Sequence, residues 1–282
     1  MKLFKWCQST AVWWLVAWLL SFALTLPASA AALRVATLNQ CLDTLLERTL
    51  VANHQVATEH YQSIEHRGQL EALLAWQPDV VVAGSFINPR LLARLRALAP
   101  HTKVVVVTQP RTLAQWWQQL EALDQHFAST VFSHYAQEQQ QQLWRQQQQL
   151  QQLAEVPSTL VLMANFFTWG EQSWMGQLLN TLGAPHVAAN WGSDLVRINP
   201  EQLLVAEPEL VFLSGSLAQA NGHYSRGEYW LQQPVLARWL AQRAVAPLVG
   251  PVVGPATTCP AARLTELSTY MTEALLDAAT SN

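Results

Sequence analysis

Basic side chains are scarce in this 282-residue sequence, and lysine almost disappears after the first thirty residues. Those thirty residues hold two of the sixteen Lys and Arg residues and none of the nineteen Asp and Glu residues. The fourteen basic and nineteen acidic residues that follow give a formal charge of −5, with Lys103 as their single lysine. Because a nucleic-acid partner requires a clustered basic face, this composition excludes one.

Close metal-ligand spacings are missing as well. The eight histidines are scattered along the chain, and no two of them stand at the spacing of a zinc or iron site. We therefore expect no metal ion bound by the protein alone, although His223 could serve as an axial ligand to a haem iron.

Recognisable catalytic motifs are also missing. Ser216 follows Gly215, but the stretch lacks the second glycine of a nucleophile elbow, and no zincin motif occurs. Because no residue can be named for catalysis, we expect a protein that is not an enzyme. An exported hydrolase is the alternative from a different class.

The N-terminal segment has the pattern of a signal peptide. Lys2 and Lys5 precede an apolar run over residues 10–26, and Ala28-Ser29-Ala30 then supplies small residues for cleavage. We predict a signal peptide over residues 1–30, cleaved near Ala30, and a periplasmic mature protein. An uncleaved membrane anchor is the alternative, because the apolar run approaches spanning length.

Two cysteines follow the predicted signal peptide, Cys41 and Cys259. An even pair in an oxidising compartment indicates a disulfide, with two buried free thiols as the alternative. A bond between them would tie the beginning of the mature chain to its last helix and would stabilise it by at most about 5 kcal/mol.

Short apolar runs alternate with amphipathic helical stretches along the rest of the chain. Asn88-Pro89 looks like a helix N-cap with proline at the first helical position. The strand-like runs lie at 33–38, 80–83, 103–107 and 159–163. Such alternation predicts an α/β fold with parallel strands and crossover helices.

The middle of the chain is dominated by glutamine and has no Gly or Pro from Phe127 to Glu155. Good helix formers without breakers predict one long helix of about 40 Å, which would be a stiff connector. A disordered polar tract is the alternative. We predict an N-terminal α/β lobe over residues 31–126, a connecting helix over 127–156 and a C-terminal α/β lobe over 157–282.

One pattern occurs twice, on either side of this connector. The sequence from Glu71 to Val81 is matched by that from Glu201 to Val211, an offset of 130 residues. Each copy combines a short helix, a proline, an acidic residue and an apolar strand. The repeat favours two similar lobes, and coincidence is the alternative.

Four segments resemble the periplasmic binding proteins for cobalamin, haem and ferric siderophores, the class joined by a single long helix. They are Thr37-Leu38-Asn39-Gln40-Cys41-Leu42-Asp43, the segments 67–81 and 198–209, and Thr258-Cys259-Pro260, where the family has Cys-Gly-Gly-Pro. The resemblance implies two Rossmann-like lobes joined by one long α-helix, with the ligand cleft between the lobes.

The resemblance also implies that one glutamate on each lobe docks against arginines of an ABC importer permease. These glutamates map onto Glu71 and Glu201, the first residues of the two repeat copies. Carboxylates on twin lobes suit a two-fold transporter. The alternative is that they only stabilise the beginning of a helix through its dipole.

Loops that follow strands should line the cleft. Large rings in polar loops suit a flat, bulky and partly apolar ligand, whereas local packing is the alternative. The guanidinium groups of Arg67 and Arg226 could bind oxygen atoms of a chelate, although each is also explained as an ordinary surface arginine. The candidate ligand-binding residues are Arg67, Phe86, Phe167, Trp169, Trp191, Tyr224 and Arg226.

From this resemblance we expect a monomeric protein with no cofactor, which delivers a small-molecule metal chelate to an ABC importer. The expected cargo is a ferric siderophore, then cobalamin, then haem. A ligand-sensing receptor module of the same fold is the nearest alternative.

Overall fold

The structure is a computed structural model that describes residues 33–63, 70–214 and 226–281. The predicted signal peptide, Arg67, His223 and Tyr224 lie outside these residues, as does the side chain of Arg226. The signal peptide and these contacts therefore stay predictions. Among the described helices, none combines the length and the apolar character that a membrane span requires.

The first lobe is a parallel sheet with strand order β2-β1-β3-β4. Its strands are β1 (Val35–Thr37), β2 (Tyr61–Ser63), β3 (Val80–Gly84) and β4 (Lys103–Val107). Its helices are α1 (Gln40–Leu46), α2 (Leu70–Trp76), α3 (Pro89–Leu98) and α4 (Leu113–Phe127), and a π-helical turn (Glu47–Val51) extends α1. The predicted cap of α3 is confirmed, because the Asn88 side chain accepts a hydrogen bond from the Arg90 N–H at 2.9 Å.

The glutamine-rich segment forms α5 (Val131–Leu150), a helix of about 30 Å. The predicted helix over residues 127–156, of about 40 Å, was too long. The break comes from Asp124, whose carboxylate accepts hydrogen bonds from the N–H groups of Phe132 and Ser133 at 3.0 and 2.8 Å. Ala128 adopts a left-handed φ of 49° there, which ends α4 without a glycine.

Two glutamines of α5 are buried in the protein interior. Gln139 and Gln146 are 1% and 2% exposed, and they share one helix face with buried apolar residues. Gln139 Oε1 accepts a hydrogen bond from Trp116 Nε1 at 2.9 Å, and Gln146 Nε2 donates to Thr269 Oγ1 at 2.9 Å. The glutamine-rich helix is thus built into the core.

The second lobe has a parallel sheet with strand order β5-β8-β9 and a two-stranded antiparallel hairpin, β6 with β7. The strands are β5 (Thr159–Leu162), β6 (Phe167–Trp169), β7 (Leu195–Arg197), β8 (Leu210–Ser214) and β9 (Ala244–Leu248). The helices are α6 (Trp174–Leu182), α7 (Pro200–Val205), α8 (Arg226–Leu231), α9 (Pro234–Ala241), α10 (Gly250–Thr258) and α11 (Leu264–Ser281).

The two repeat copies occupy the same place in the two lobes. One copy is α2 followed by β3, and the other is α7 followed by β8. The Asp79 carboxylate accepts a hydrogen bond from the Arg34 N–H at 2.8 Å, just before β1. In the second lobe the Glu209 carboxylate accepts one from the Ser158 N–H at 2.7 Å, just before β5. The acidic residue after each proline therefore fixes the first strand of its lobe.

One hydrophobic core runs through both lobes. One side of each sheet packs on it, together with α4, α5, α6 and α11. The other side of each sheet packs in a separate cluster, with Leu73 and Leu95 in the first lobe and Leu203 and Trp239 in the second. Because the lobes share a core, separating them would expose apolar surface to water.

Candidate functional site

A cleft of about 550 Å³ lies between the lobes, at the carboxyl ends of their parallel strands. Open α/β sheets bind ligands at this edge, and the volume is that of a small-molecule site. The first lobe contributes residues that follow β3 and β4, and the second contributes residues at or after the ends of β5, β6, β8 and β9 and at the beginning of α6. They include Ser85, Phe86, Thr108, Gln109 and Arg111 on one side and Met163, Trp169, Trp174, Ser214 and Leu248 on the other.

Large rings line this cleft on both sides. Phe86 follows β3 and is 82% exposed, an unusual state for a phenyl ring because water disfavours apolar surface. Trp169 and Trp174 face the same cleft from the second lobe. The arrangement suits a flat or bulky ligand with apolar surface.

The second-lobe wall of the cleft is tightly built where the backbone turns from β6 into α6. A Cβ on Gly170 would lie 1.9 Å from the Gly192 carbonyl oxygen, and one on Gly176 would lie 2.2 Å from the Gly170 carbonyl oxygen. Only glycine permits such approaches. Ser173 caps α6, because its Oγ accepts a hydrogen bond from the Gly176 N–H at 3.0 Å.

His186 contacts the backbone of this wall through both of its ring nitrogens. Its Nε2 lies 2.6 Å from the carbonyl oxygen of Trp169, and its Nδ1 lies 3.2 Å from that of Thr159. Burial lowers the pKa of His186, because it disfavours the charged ring. The two carbonyl groups favour the protonated form and raise the pKa, but burial has the larger effect. The neutral ring can donate to only one of these carbonyls.

A buried carboxylate joins α1 to the sheet of the first lobe. Asp43 accepts a hydrogen bond from the Tyr61 hydroxyl at 2.5 Å and others from the hydroxyls of Thr37 and Ser63. Burial and the adjacent carboxylate raise the pKa of Tyr61. These bonds hold α1 against β1 and β2.

A side pocket of about 280 Å³ opens from the cleft toward α1 and α4. The two cavities share part of their lining, including Phe86, Trp174 and Pro260. The remaining side-pocket residues are largely apolar and include Leu42, Leu45, Trp116, Ala261 and Ala262. A disulfide joins Cys41 to Cys259 in its wall, with a Cα–Cα distance of 5.1 Å.

Few charges line these cavities. Among the described residues, Arg111 of the first lobe and Asp194 of the second are the charged groups of the cleft lining, and both are exposed. Within the same part of the chain, no group of three or more His, Cys, Asp or Glu residues could hold a metal ion.

The structure brings two of the predicted contact residues into the cleft, Phe86 and Trp169. Phe167 instead pairs with Arg197 in the hairpin, and Trp191 packs against the outer core cluster of the second lobe. Neither is among the lining residues. Arg226 begins α8.

Several lining residues were missed in the sequence. Thr108 to Arg111 directly follow β4, so the rule that selected Phe86 after β3 would have found them. Trp174 had no such signal, because it stands at the beginning of a helix. It follows the turn in which Gly170 lies against Gly192, and it lines the cleft from there.

The predicted docking glutamates hold equivalent positions on the two lobes. Glu71 and Glu201 are each the second residue of a short helix, α2 and α7, and both are exposed. Beside Glu201, Val205 is 82% exposed. Both carboxylates are therefore accessible from solvent.

Comparison with known proteins relates the chain to one family. A family model described as periplasmic binding protein matches residues 45–238. The vitamin B12-binding protein of Vibrio cholerae is 28% identical over 192 residues, which cover 64% of this chain and 61% of that protein. The match thus spans less than two thirds of that relative.

Solved structures share the fold at low identity. The siderophore-binding protein FeuA of Bacillus subtilis superposes with a TM-score of 0.63 at 15% identity, covering 88% of this chain and 94% of that one. The haem-binding protein HutB of Vibrio cholerae gives 0.62 at 15%, covering 85% and 98%. The vitamin B12-binding protein BtuF of Vibrio cholerae gives 0.52 at 20%, covering 86% and 98%.

Proposed function

This chain belongs to the periplasmic binding protein family, and on that premise we propose that it binds a bulky metal chelate between its lobes. The proposed cargo is a ferric siderophore, cobalamin or haem, which it delivers to an ABC importer without chemical change. We propose that it acts in the periplasm after removal of residues 1–30.

The observation that carries this proposal is the aromatic cleft at the strand ends of both lobes. Phe86 on one side and Trp169 and Trp174 on the other could enclose a flat ligand. The relatives that match the chain or its fold are binding proteins for vitamin B12, a siderophore and haem. All three ligands are large, ringed or chelated molecules with apolar surface.

A tryptophan-fluorescence titration of the protein without residues 1–30 tests the proposal. Ferric siderophores, cobalamin and haemin are titrated in parallel, and Trp169 and Trp174 are the expected reporters. Saturable one-to-one quenching by one of these compounds is the expected result. A folded sample that responds to none of them would contradict the proposal and favour a sensor or an exported hydrolase.

Importer docking is a second step of the proposal, and it rests on the exposed Glu71 and Glu201. The double substitution Glu71→Arg/Glu201→Arg should abolish uptake in cells, because the charge complementarity with the permease is reversed. Ligand affinity should stay within about twofold, since neither residue lines the cleft. Glu121→Arg/Glu207→Arg, with one exposed glutamate on each lobe that lines neither cavity, is the matched control. Normal uptake by the first variant would contradict the docking assignment.

A further inference from the structure

The Cys41–Cys259 disulfide joins the two lobes beside the ligand cleft. Cys41 is the second residue of α1 in the first lobe, and Cys259 directly follows α10 in the second lobe. Both cysteines line the side pocket, which shares part of its lining with the main cleft. The bond therefore connects two backbone segments that lie next to residues of the cleft.

On the second lobe, the disulfide holds the turn between α10 and α11. Thr258 and Pro260 stand on either side of Cys259, and both line the main cleft as well as the side pocket. The Cys259 N–H donates to the Pro255 carbonyl oxygen at 3.0 Å, and the Cys259 carbonyl oxygen accepts a hydrogen bond from the Arg263 N–H at 3.0 Å. These bonds fix the turn within the second lobe, and the disulfide fixes it against the first.

On the first lobe, the disulfide is connected to the wall that carries Phe86. The Asn39 side chain accepts a hydrogen bond from the Cys41 N–H at 2.9 Å and so caps α1. The same side chain lies against Gly84 at the end of β3, where an added Cβ would be 3.1 Å from Asn39 Nδ2. Ser85 and Phe86 follow Gly84 and line both cavities. Contacts between neighbouring groups thus lead from the disulfide to the exposed ring.

A wall that is held in place before the ligand arrives costs less free energy to order on binding. Phe86 is 82% exposed, so packing holds little of its ring. The position of this ring depends on its backbone, and the contacts of Asn39 connect that backbone to the disulfide. A covalent tie of this kind can therefore strengthen ligand binding as well as the fold.

We propose that the Cys41–Cys259 disulfide sets the spacing of the two cleft walls before the ligand binds, so that the intact bond raises ligand affinity. The cysteines are positioning residues, which act through Phe86 on one wall and through Thr258 and Pro260 on the other. This inference rests on the proposed function. The alternative is that the bond only stabilises the fold, by closing a long loop in the unfolded chain.

Affinity separates the two roles, because a bond that only stabilises the fold leaves the affinity of the folded protein unchanged. Cobalamin, haemin, a ferric catecholate and a ferric hydroxamate are titrated, by tryptophan fluorescence, into the wild type and into Cys41→Ser/Cys259→Ser, both shown to be folded by circular dichroism. The compound that the wild type binds should bind about tenfold more weakly to the variant. Equal affinity in the two proteins would overturn the inference and leave the proposed function intact.

Leu275→Ala is the matched control for stability. Leu275 is fully buried in α11, packs in the core that both lobes share and lines neither cavity. Loss of a large side chain from a packed core and loss of a native disulfide destabilise a protein to a similar extent. Leu275→Ala should therefore lower the melting temperature about as much as the double substitution, yet keep the wild-type affinity within about twofold. A tenfold loss of affinity in Leu275→Ala as well would overturn the inference, because destabilisation alone would then explain it.

The wild-type sequence can also be tested without substitution, because Cys41 and Cys259 are its only cysteines after residue 30. Dithiothreitol converts the disulfide into two thiols and is itself oxidised to a cyclic disulfide. The reagent is removed under argon before the titration, so that it does not reduce the metal of the chelate. The reduced protein should bind about tenfold more weakly, and reoxidation should restore the affinity. A reduced protein that binds as tightly as the oxidised one would overturn the inference.

Hydrogen exchange tests the positioning role without any ligand. Residues 84–88 and 257–262 are the two wall segments that the disulfide connects. Followed by mass spectrometry, their amides should exchange about tenfold faster in Cys41→Ser/Cys259→Ser than in Leu275→Ala. This result would support the positioning role even if no chelate binds and the proposed function fails. Equal exchange of both segments in the two variants would overturn the inference.

Discussion

The two walls of the cleft are built in different ways. The second-lobe wall, which carries Trp169 and Trp174, is fixed by glycine contacts at Gly170 and Gly176 and by the hydrogen bonds of His186. The first-lobe wall consists of residues that follow strands, and its ring, Phe86, is 82% exposed.

The difference shows that a shared framework does not imply a shared binding surface. Asp79 and Glu209 make the same hydrogen bond in the two lobes, just before β1 and β5. The repeat thus determines how each sheet begins, at the edge far from the cleft. The residues at the opposite edge of each sheet, which line the cleft, are free to differ. The second lobe therefore presents a wall fixed by backbone contacts, and the first lobe presents the exposed ring of Phe86.

The second-lobe wall should be most sensitive to substitution at Gly170. Gly170→Ala would place a methyl group 1.9 Å from the Gly192 carbonyl oxygen. We expect the free energy of unfolding to fall by about 3 kcal/mol, because backbone must move to admit the methyl group. Chemical denaturation followed by circular dichroism measures this loss.

Gly254→Ala is the matched control for that substitution. Gly254 lies in α10 at a normal φ, with nothing within 4 Å of the added Cβ. Alanine there should stabilise the protein by up to about 1 kcal/mol. Equal losses in the two variants would contradict the account of the second-lobe wall.

The shared framework can be tested by removing its two carboxylates one at a time. Asp79→Ala and Glu209→Ala should each lower the free energy of unfolding by about 1 kcal/mol, because each leaves a backbone N–H without its acceptor. Both groups are exposed, so water replaces part of the bond. Urea denaturation of the two variants side by side is the measurement, and a clear loss in only one lobe would refute the structural equivalence of the repeat.

The smallest expected effect is the pH dependence that comes from His186. Burial lowers its pKa in the folded protein, so the unfolded chain takes up the proton at a higher pH. Its contribution to stability is therefore complete above the unfolded pKa of about 6.5 and decreases as the pH falls below it. His186→Asn should flatten the stability profile between pH 7 and 5, whereas His101→Asn, at an exposed site, should not. If stability depends on pH in His186→Asn as it does in the wild type, His186 does not contribute to that dependence.

The sequence predicted the α/β class, the connecting helix and the position of Phe86, because periodicity, capping residues and strand ends are local signals. The length of the connecting helix was overestimated. The break between α4 and α5 depends on the Asp124 carboxylate, which accepts hydrogen bonds from the N–H groups of Phe132 and Ser133. No local pattern of residues shows that such a carboxylate will cap the following helix.

The binding surface was only partly predictable for a similar reason. Phe167 and Trp191 stand in loops or short strands like those of Phe86 and Trp169, yet they do not line the cleft. Trp174 lines it from the first residue of α6, beside the turn in which Gly170 lies against Gly192 and Gly176 against Gly170. Which ring faces the cleft thus depends on tertiary contacts that adjacent sequence does not encode.

A single ligand held between the lobes should contact both walls of the cleft. Isothermal titration calorimetry of Phe86→Ala and Trp169→Leu, with the compound that quenches the wild type, distinguishes such a ligand from one that is held by a single lobe. We expect each variant to lose about tenfold or more in affinity, because each removes one large contact from an opposite wall. If one variant binds like the wild type while the other does not, the ligand is held by a single lobe, which would contradict binding between the lobes.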